Sequence, residues 1–87
     1  MATVILPRSL VALVAGSERR AEVDGETVAA VLTGLDTRWP GLLDRLCEPG
    51  PVIREHINVF VDGQPADIGT AVGSASTVHV IPAISGG

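Results

Sequence analysis

Hydrophobic residues recur along the chain with two different periods, one typical of strands and one of a helix. Residues 57–61 and 77–81 alternate between apolar and more polar side chains. Residues 2–7 form a short apolar segment, and residues 18–23 alternate loosely between charged and small apolar positions. A period of two is typical of strands with one buried face. We therefore predict a strand in each of these four segments.

The segment between the second and third predicted strands has the period of an amphipathic helix. Its apolar side chains are spaced i, i+3, i+4, i+7 and i+11, which places on one face Val28, Val31, Leu32, Leu35 and Trp39. Thr27 is a suitable N-cap, and Pro40 with Gly41 ends the helix. Burial of each aliphatic side chain contributes about 1.5–3 kcal/mol, so this face is a large part of the core of a small domain.

The remaining segments give weaker signals. Residues 9–16 are predicted to form an apolar connection. Residues 42–46 are expected to form a short helical turn, followed by a loop rich in proline and glycine at 48–51. Residues 64–67 are expected to be a short edge strand or an extended loop, and residues 68–72 have room for one helical turn.

The order of these elements predicts an α+β fold. We expect the first and last strands, both apolar, to lie side by side in the middle of a mixed four- to five-stranded sheet, with the main helix packed on one face. This is the β-grasp, or ubiquitin-like, architecture. The folded domain is expected to span residues 1–81. Residues 82–87 are expected to form a flexible C-terminal tail, because Pro82 ends strand pairing.

Composition excludes several functional classes. The chain has 87 residues and a net charge of −4, so it lacks the basic surface of a nucleic-acid-binding protein. Its apolar stretches are too short to cross a membrane. With one cysteine and two distant histidines, His56 and His79, we predict no disulfide and no metal site. We expect a soluble, cytoplasmic protein without a secretory signal.

The two glycines at the end of the sequence, Gly86 and Gly87, indicate where the chemistry takes place. Fully extended, the six residues 82–87 reach about 20 Å from the domain. Because glycine has no side chain, a narrow channel can close around this end. A carboxylate becomes reactive when an ATP-dependent partner converts it to an acyl-adenylate, from which a sulfur nucleophile displaces the nucleotide. We therefore expect the folded domain to present a free, reactive C-terminus.

Three segments resemble a known family. Residues 80–87, Val-Ile-Pro-Ala-Ile-Ser-Gly-Gly, resemble the C-terminal signature of the ThiS/MoaD family of ubiquitin-like sulfur carriers. Residues 57–63 resemble its third strand and turn, and residues 25–28 resemble its helix entrance. Within the family, the chain most resembles the actinobacterial carriers of the CysO type. It departs from them at Ser85, where alanine is usual.

The resemblance implies a carrier rather than an enzyme. A ubiquitin-activating-type enzyme would adenylate Gly87 with ATP and magnesium and then convert it to a thiocarboxylate. The sulfur would pass to a synthase that makes cysteine, thiamin, molybdopterin or a thiolated secondary metabolite, and the carrier itself would bind no cofactor. The resemblance also implies that partners recognise the tail through Pro82, Ile84, Ser85 and Gly86.

Three other functions stay open. The chain is alternatively a ubiquitin-like modifier joined through Gly87 to lysines of other proteins, the small subunit of a molybdopterin-synthase-type heterodimer, or an interaction domain with an inert tail. The sequence contains no lysine, so a modifier of this kind does not form chains on its own side chains.

An apolar patch is predicted on the sheet face that points away from the helix. Ile5, Phe60 and Ile81 should share that face, with His79 beside them, and such a cluster indicates a docking surface. The alternative is that residues 10–15 fold over and cover the patch. Lone cysteines are usually small buried hydrophobes, which favours a structural place for Cys47 over a sulfur relay.

Overall fold

A five-stranded mixed sheet with one long helix across it is the framework of residues 1–82, the part of the chain that the computed structural model describes. The elements in chain order are β1 Ala2–Ile5, α1 Arg8–Val11, β2 Arg20–Val23, α2 Val28–Arg38, α3 Leu42–Leu46, β3 Cys47–Glu48, β4 Val52–Ile53, β5 Ile57–Val61, β6 Gln64–Ala66 and β7 Thr77–Pro82. None of the helices in this part is long and apolar enough to cross a membrane.

The first and last strands pair at the centre of the sheet, as the sequence predicts. The strand order is β2-β1-β7-β5-β6. β1 and β7 run parallel, with Val4 opposite Val78, whereas the other neighbouring strands of this sheet are antiparallel. Both Val4 and Val78 are fully buried beneath the helix. The predicted β-grasp fold is thus confirmed.

Helix α2 covers the sheet with the predicted apolar face. Its four aliphatic residues are fully buried, and Trp39, just after the helix, is 8% exposed. The Thr27 hydroxyl accepts a hydrogen bond from the Ala30 N–H at 3.2 Å, which confirms it as the N-cap. At the other end, Arg38 Nη1 donates to the Glu22 carbonyl of β2 at 3.0 Å. The helix is therefore capped at its start and tied to β2 at its end.

Residues 68–72 contain a turn but no helix. Ile68 and Gly69 lie in a turn closed by the Thr70 N–H, which donates to the Asp67 carbonyl at 3.2 Å, and Ala71 forms an isolated bridge with Thr27. The first N–H groups of a helix have no partner within it. Here Val28 and Ala29 donate to the carbonyls of Thr70 and Ile68, at 3.0 and 2.9 Å, so this turn supplies partners to the start of α2.

Two small elements were not predicted. The apolar connection at 9–16 overlaps the short helix α1 and the turns after it, which bury Leu10 and Val14 in the core. The predicted loop at 48–51 overlaps a hairpin whose two strands have two residues each, and in which Cys47 of β3 pairs with Ile53 of β4. Elements this short carry no readable period, so their pattern does not distinguish them from loops.

The turn between β5 and β6 is a two-residue hairpin turn formed by Asp62 and Gly63. Both residues have positive φ, 50° and 83°, as a two-residue type I′ turn requires. The Asp62 carboxylate accepts hydrogen bonds from the Ser76 hydroxyl at 2.8 Å and the Thr77 N–H at 2.9 Å. These bonds, the Thr77 N–H first, lower the pKa of Asp62 below its ordinary 3.8. The turn is thereby tied to the start of β7.

We expect this aspartate to make part of the stability acid-sensitive. Because its pKa is lower in the folded state, its contribution is present above the unfolded pKa and is lost as the pH falls through the folded pKa. Asp62→Asn should lower the free energy of unfolding near neutral pH, with the difference from the wild type shrinking below about pH 4. Urea unfolding of both proteins between pH 2 and 7 measures this. A difference that stays constant over that range would contradict it.

Candidate functional site

The predicted tail follows the end of β7, which lies in the middle of the sheet. Pro82 is the last residue of β7 and lies opposite Ile57 of β5. The strand thus extends one residue beyond the predicted boundary at 81. Proline has no N–H to donate, which is tolerated at the end of a ladder. The root of the tail is therefore held by the sheet up to Pro82.

The predicted tail residues lie outside the part of the chain that the structure describes. These are Ile84, Ser85, Gly86 and Gly87. Their roles stay predictions. The structure describes the residue that precedes them, Pro82 at the end of β7.

The predicted patch residues share the sheet face opposite α2. Register places His79 of β7 directly between Ile5 of β1 and Phe60 of β5. Their neighbours Val78 and Val80 are buried on the helix side, so alternation turns His79 and Ile81 outward. We call Ile5, Phe60, His79 and Ile81 the outer patch.

The outer patch is partly exposed. Ile5 and Phe60 are half-buried, His79 is exposed, and Ile81 is 45% exposed. The segment 10–15 does not hide these last two side chains, because it directs Leu10 and Val14 into the core. The arrangement fits a surface that a partner covers, and its docking role stays a prediction.

Sequence reasoning missed two neighbours of the patch. Pro65 of β6 lies opposite Phe60 and extends the row of the patch toward the sheet edge. Arg19 lines a shallow depression together with His79, Ile81 and Pro82, and its Nε donates to the Leu6 carbonyl at 3.3 Å. The hydrophobic pattern does not predict either neighbour. The pairing register of β5 and β6 places Pro65 beside the patch, and the path of the loop before β2 places Arg19 there.

Cys47 is part of the core. It is 5% exposed, and burial raises the pKa of its thiol, although the nearby Arg54 guanidinium partly opposes that shift. A protonated, inaccessible thiol is a poor nucleophile. The structural interpretation of Cys47 therefore fits the geometry better than a sulfur relay does.

Metal binding has no visible basis in residues 1–82. In that range no cluster of three or more His, Cys, Asp or Glu side chains could hold an ion.

A family model matches nearly the whole chain. The ThiS family model matches residues 4–87, which include the folded domain and the final glycines.

Individual relatives fall into two functional groups. Sulfur carrier protein CysO of Mycobacterium tuberculosis is 26% identical over 78 residues, covering 83% of this chain and 84% of the relative. Small archaeal modifier protein 1 of Haloferax volcanii is 36% identical over 76 residues, covering 85% of this chain and 87% of the relative.

A solved structure has the same fold over its full length. A chain in the crystal structure of the Amycolatopsis orientalis BexX/CysO complex superposes with a TM-score of 0.89. It is 26% identical to this chain, and the match covers 100% of both.

We expect the thiol of Cys47 to be unreactive in the folded protein. Its thiol should react with a disulfide reagent far more slowly in the native state than in urea, because it is buried and its pKa is raised. Thiol titration with and without denaturant measures the two rates. Equal rates would show that the Cys47 thiol is accessible in the folded protein, and the sulfur-relay hypothesis would then have to be considered again.

Proposed function

This chain belongs to the ThiS family, and from that membership we propose that it carries sulfur as a thiocarboxylate on Gly87. The family is one of sulfur carriers and ubiquitin-like modifiers, as the CysO and archaeal relatives illustrate. The observation that carries the proposal is the family match through residue 87, which joins this fold to a Gly-Gly end in a single chain.

The proposed chemistry takes place on the terminal carboxylate. An activating enzyme uses ATP and magnesium to convert Gly87 to an acyl-adenylate with release of pyrophosphate. Sulfide supplied at that enzyme then attacks the Gly87 carbonyl carbon, a C–S bond forms as the C–O bond to AMP breaks, and the carrier leaves as a thiocarboxylate with loss of a proton. The second partner is a synthase that accepts this sulfur. The carrier is a co-substrate of both enzymes, and both steps are cytoplasmic.

The fold supports this role by fixing where the tail starts. β7 is paired with β1 as far as His79 and with β5 as far as Pro82, so displacing Pro82 disrupts its pairing with Ile57. The five residues beyond it span at most about 17 Å when extended. A partner that holds the domain in one orientation thereby brings Gly87 within reach of its active site, which makes the transfer effectively intramolecular.

We propose that the activating enzyme holds the domain through the outer patch. Two residues of the patch, His79 and Ile81, belong to β7, the strand that leads into the tail. It combines one aromatic and two aliphatic side chains with a histidine, and Arg19 adds a positive charge at its side. Interfaces of this kind depend on a few central apolar anchors.

A second candidate function is that of a protein modifier. The identity of 36% to a small archaeal modifier protein favours it. Such a modifier would use the same adenylated Gly87, with a lysine amine in place of sulfur as the nucleophile. The two functions share their first step and differ in what displaces AMP.

Mass spectrometry of the intact protein tests the proposal. After incubation with a ThiS-type activating enzyme, ATP and a sulfur source, the mass should increase by the difference between one sulfur and one oxygen. Chains that lack Gly87, or carry one extra residue after it, should stay unmodified and unfold at the same urea concentration. Sulfuration of the extended chain would contradict the terminal mechanism, and Gly87 linked to foreign lysines would indicate the modifier.

Phe60→Ala tests the docking surface. Loss of a central aromatic anchor should weaken binding to the activating enzyme by about 1–2 kcal/mol, roughly five- to thirtyfold. Thr33→Ala is the matched control, since Thr33 is exposed on α2, which covers the opposite face of the sheet. Calorimetric titration gives both affinities, and urea unfolding verifies the fold. Equal affinities for the two variants would refute the docking role of the patch.

A further inference from the structure

A groove of about 490 Å³ opens at the end of β7. α1 and the turn after it form one wall, and α3 together with Arg54 forms the other. The lining combines apolar and basic side chains, which are Leu10, Leu13, Ile57, Pro82, Arg45 and Arg54. We call it the β7 groove. Its position at a strand end distinguishes it from the outer patch, which lies on a face of the sheet.

One wall of the β7 groove is apolar and open to solvent. Leu10 is buried, but Leu13 is 58% exposed, more than any other leucine in residues 1–82. Ile57, opposite Pro82 in the sheet, is half-buried. A further apolar side chain that enters beside Leu13 therefore removes apolar surface from water on both molecules.

The other wall carries two arginines with different surroundings. Arg54 donates through Nε and Nη2 to the Asp44 carbonyl at 3.0 and 2.8 Å, and its Nη1 lies 4.0 Å from the Glu48 carboxylate. Arg45 is exposed, and neither of the ion pairs within residues 1–82 includes it. Of these two guanidinium groups, that of Arg45 is therefore better placed to receive a carboxylate from another molecule.

Arginines are concentrated around the end of β7, although the chain as a whole is acidic. The groove and the shallow depression beside the outer patch share Pro7 and Pro82 as lining residues. Together the two concavities are lined by three of the six arginines, Arg19, Arg45 and Arg54, and by one of the ten acidic residues, Asp44. A local positive charge of this kind favours an acidic partner surface and orients it during association.

The outer patch alone is small for a protein–protein interface. Stable interfaces bury about 800 Å² per partner and involve about 20–30 residues a side. A partner that covers the outer patch must therefore extend onto the neighbouring surface. The depression that contains His79 and Ile81 adjoins the groove at Pro7 and Pro82, so the groove is a direct continuation of that surface.

We propose that the β7 groove is a second contact for the activating enzyme, continuous with the outer patch. The enzyme contributes an extended segment that places one apolar side chain between Leu13 and Ile57 and one carboxylate at Arg45. This inference rests on the proposed function, because that function supplies the activating enzyme as the partner.

The second contact has a consequence for orientation. The outer patch lies on the face of the sheet, whereas the groove lies at the end of β7, so an enzyme that holds both contacts the domain around Pro82. Two such contacts restrict the rotation of the domain more than the outer patch does alone. The strand end is thereby aimed in one direction, which is what an effectively intramolecular reaction requires.

Arg45→Gln tests the carboxylate contact, with Thr33→Glu as a control that changes the net charge equally. Thr33 is exposed on α2, away from the groove, and either variant has a net charge of −5, one below the −4 of the wild type. We expect Arg45→Gln to weaken binding to a ThiS-type activating enzyme roughly two- to fivefold and to make the affinity less sensitive to salt. Thr33→Glu should keep the wild-type salt dependence. Calorimetric titrations at low and high salt measure both properties.

Leu13→Ser tests the apolar contact, with Leu13→Met as the conservative variant. Because Leu13 is exposed, neither change should alter the urea concentration at which the domain unfolds. Leu13→Ser should weaken binding to the activating enzyme roughly three- to tenfold, and Leu13→Met should bind like the wild type. In a methyl-labelled carrier, saturation of the enzyme protons should also reduce the Leu13 methyl signals, whereas those of the fully buried Leu32 should keep their intensity.

Sulfuration of the same proteins, followed by intact mass, separates this inference from the proposed function. If the wild type is sulfurated but the Leu13→Ser and Arg45→Gln variants bind the enzyme as the wild type does, the groove contact is refuted and the proposed function stands. If the wild type neither binds nor is sulfurated, both are refuted. Two further results would overturn the groove contact: weaker binding of the variants only to a sulfur-accepting synthase, or a wild-type dimer in sedimentation that Leu13→Ser dissociates.

Discussion

The parallel pairing of β1 with β7 is the constraint on which the rest of the structure depends. It joins the two ends of the described chain at the centre of the sheet and leaves the intervening residues to wrap around that pair. Parallel neighbours need a long crossover connection. Here the residues between β1 and β7 include α2, whose buried face covers Val4 and Val78. The central pair and the helix therefore stabilise one another, and neither has a core alone.

The candidate site follows from the same pairing. Because β7 is central, its outward residues lie between those of β1 and β5, which is why His79 is flanked by Ile5 and Phe60. At the end of β7, Pro82 lines a groove together with Leu10 of α1 and Arg45 of α3. The outer patch and this groove are thus both positioned by β7.

The sequence predicted the elements whose period is long enough to read. Residues 28–39 and the strands around Val59 and Val80 were clear, and with strand order they were enough to place Ile5, Phe60 and Ile81 on one face. The hairpin at Cys47 and the helix at Leu10 were not predicted, because elements this short carry no periodic signal. Arg45 was not predicted either, because it lines a groove with Pro82 only after α3 packs beside the end of β7.

The hydrogen bonds on both edges of β7 also have a mechanical meaning. A partner that draws the tail into a channel pulls β7 along its own axis. Its bonds to β1 and β5 are then loaded together in shear, whereas a strand pulled sideways would lose them one after another. The Ser76 hydroxyl and the Thr77 backbone N–H donate to the Asp62 carboxylate and anchor the far end of the same strand. A pull on the end of β7 is consequently resisted by both neighbouring strands at once, so the load is shared across the centre of the sheet.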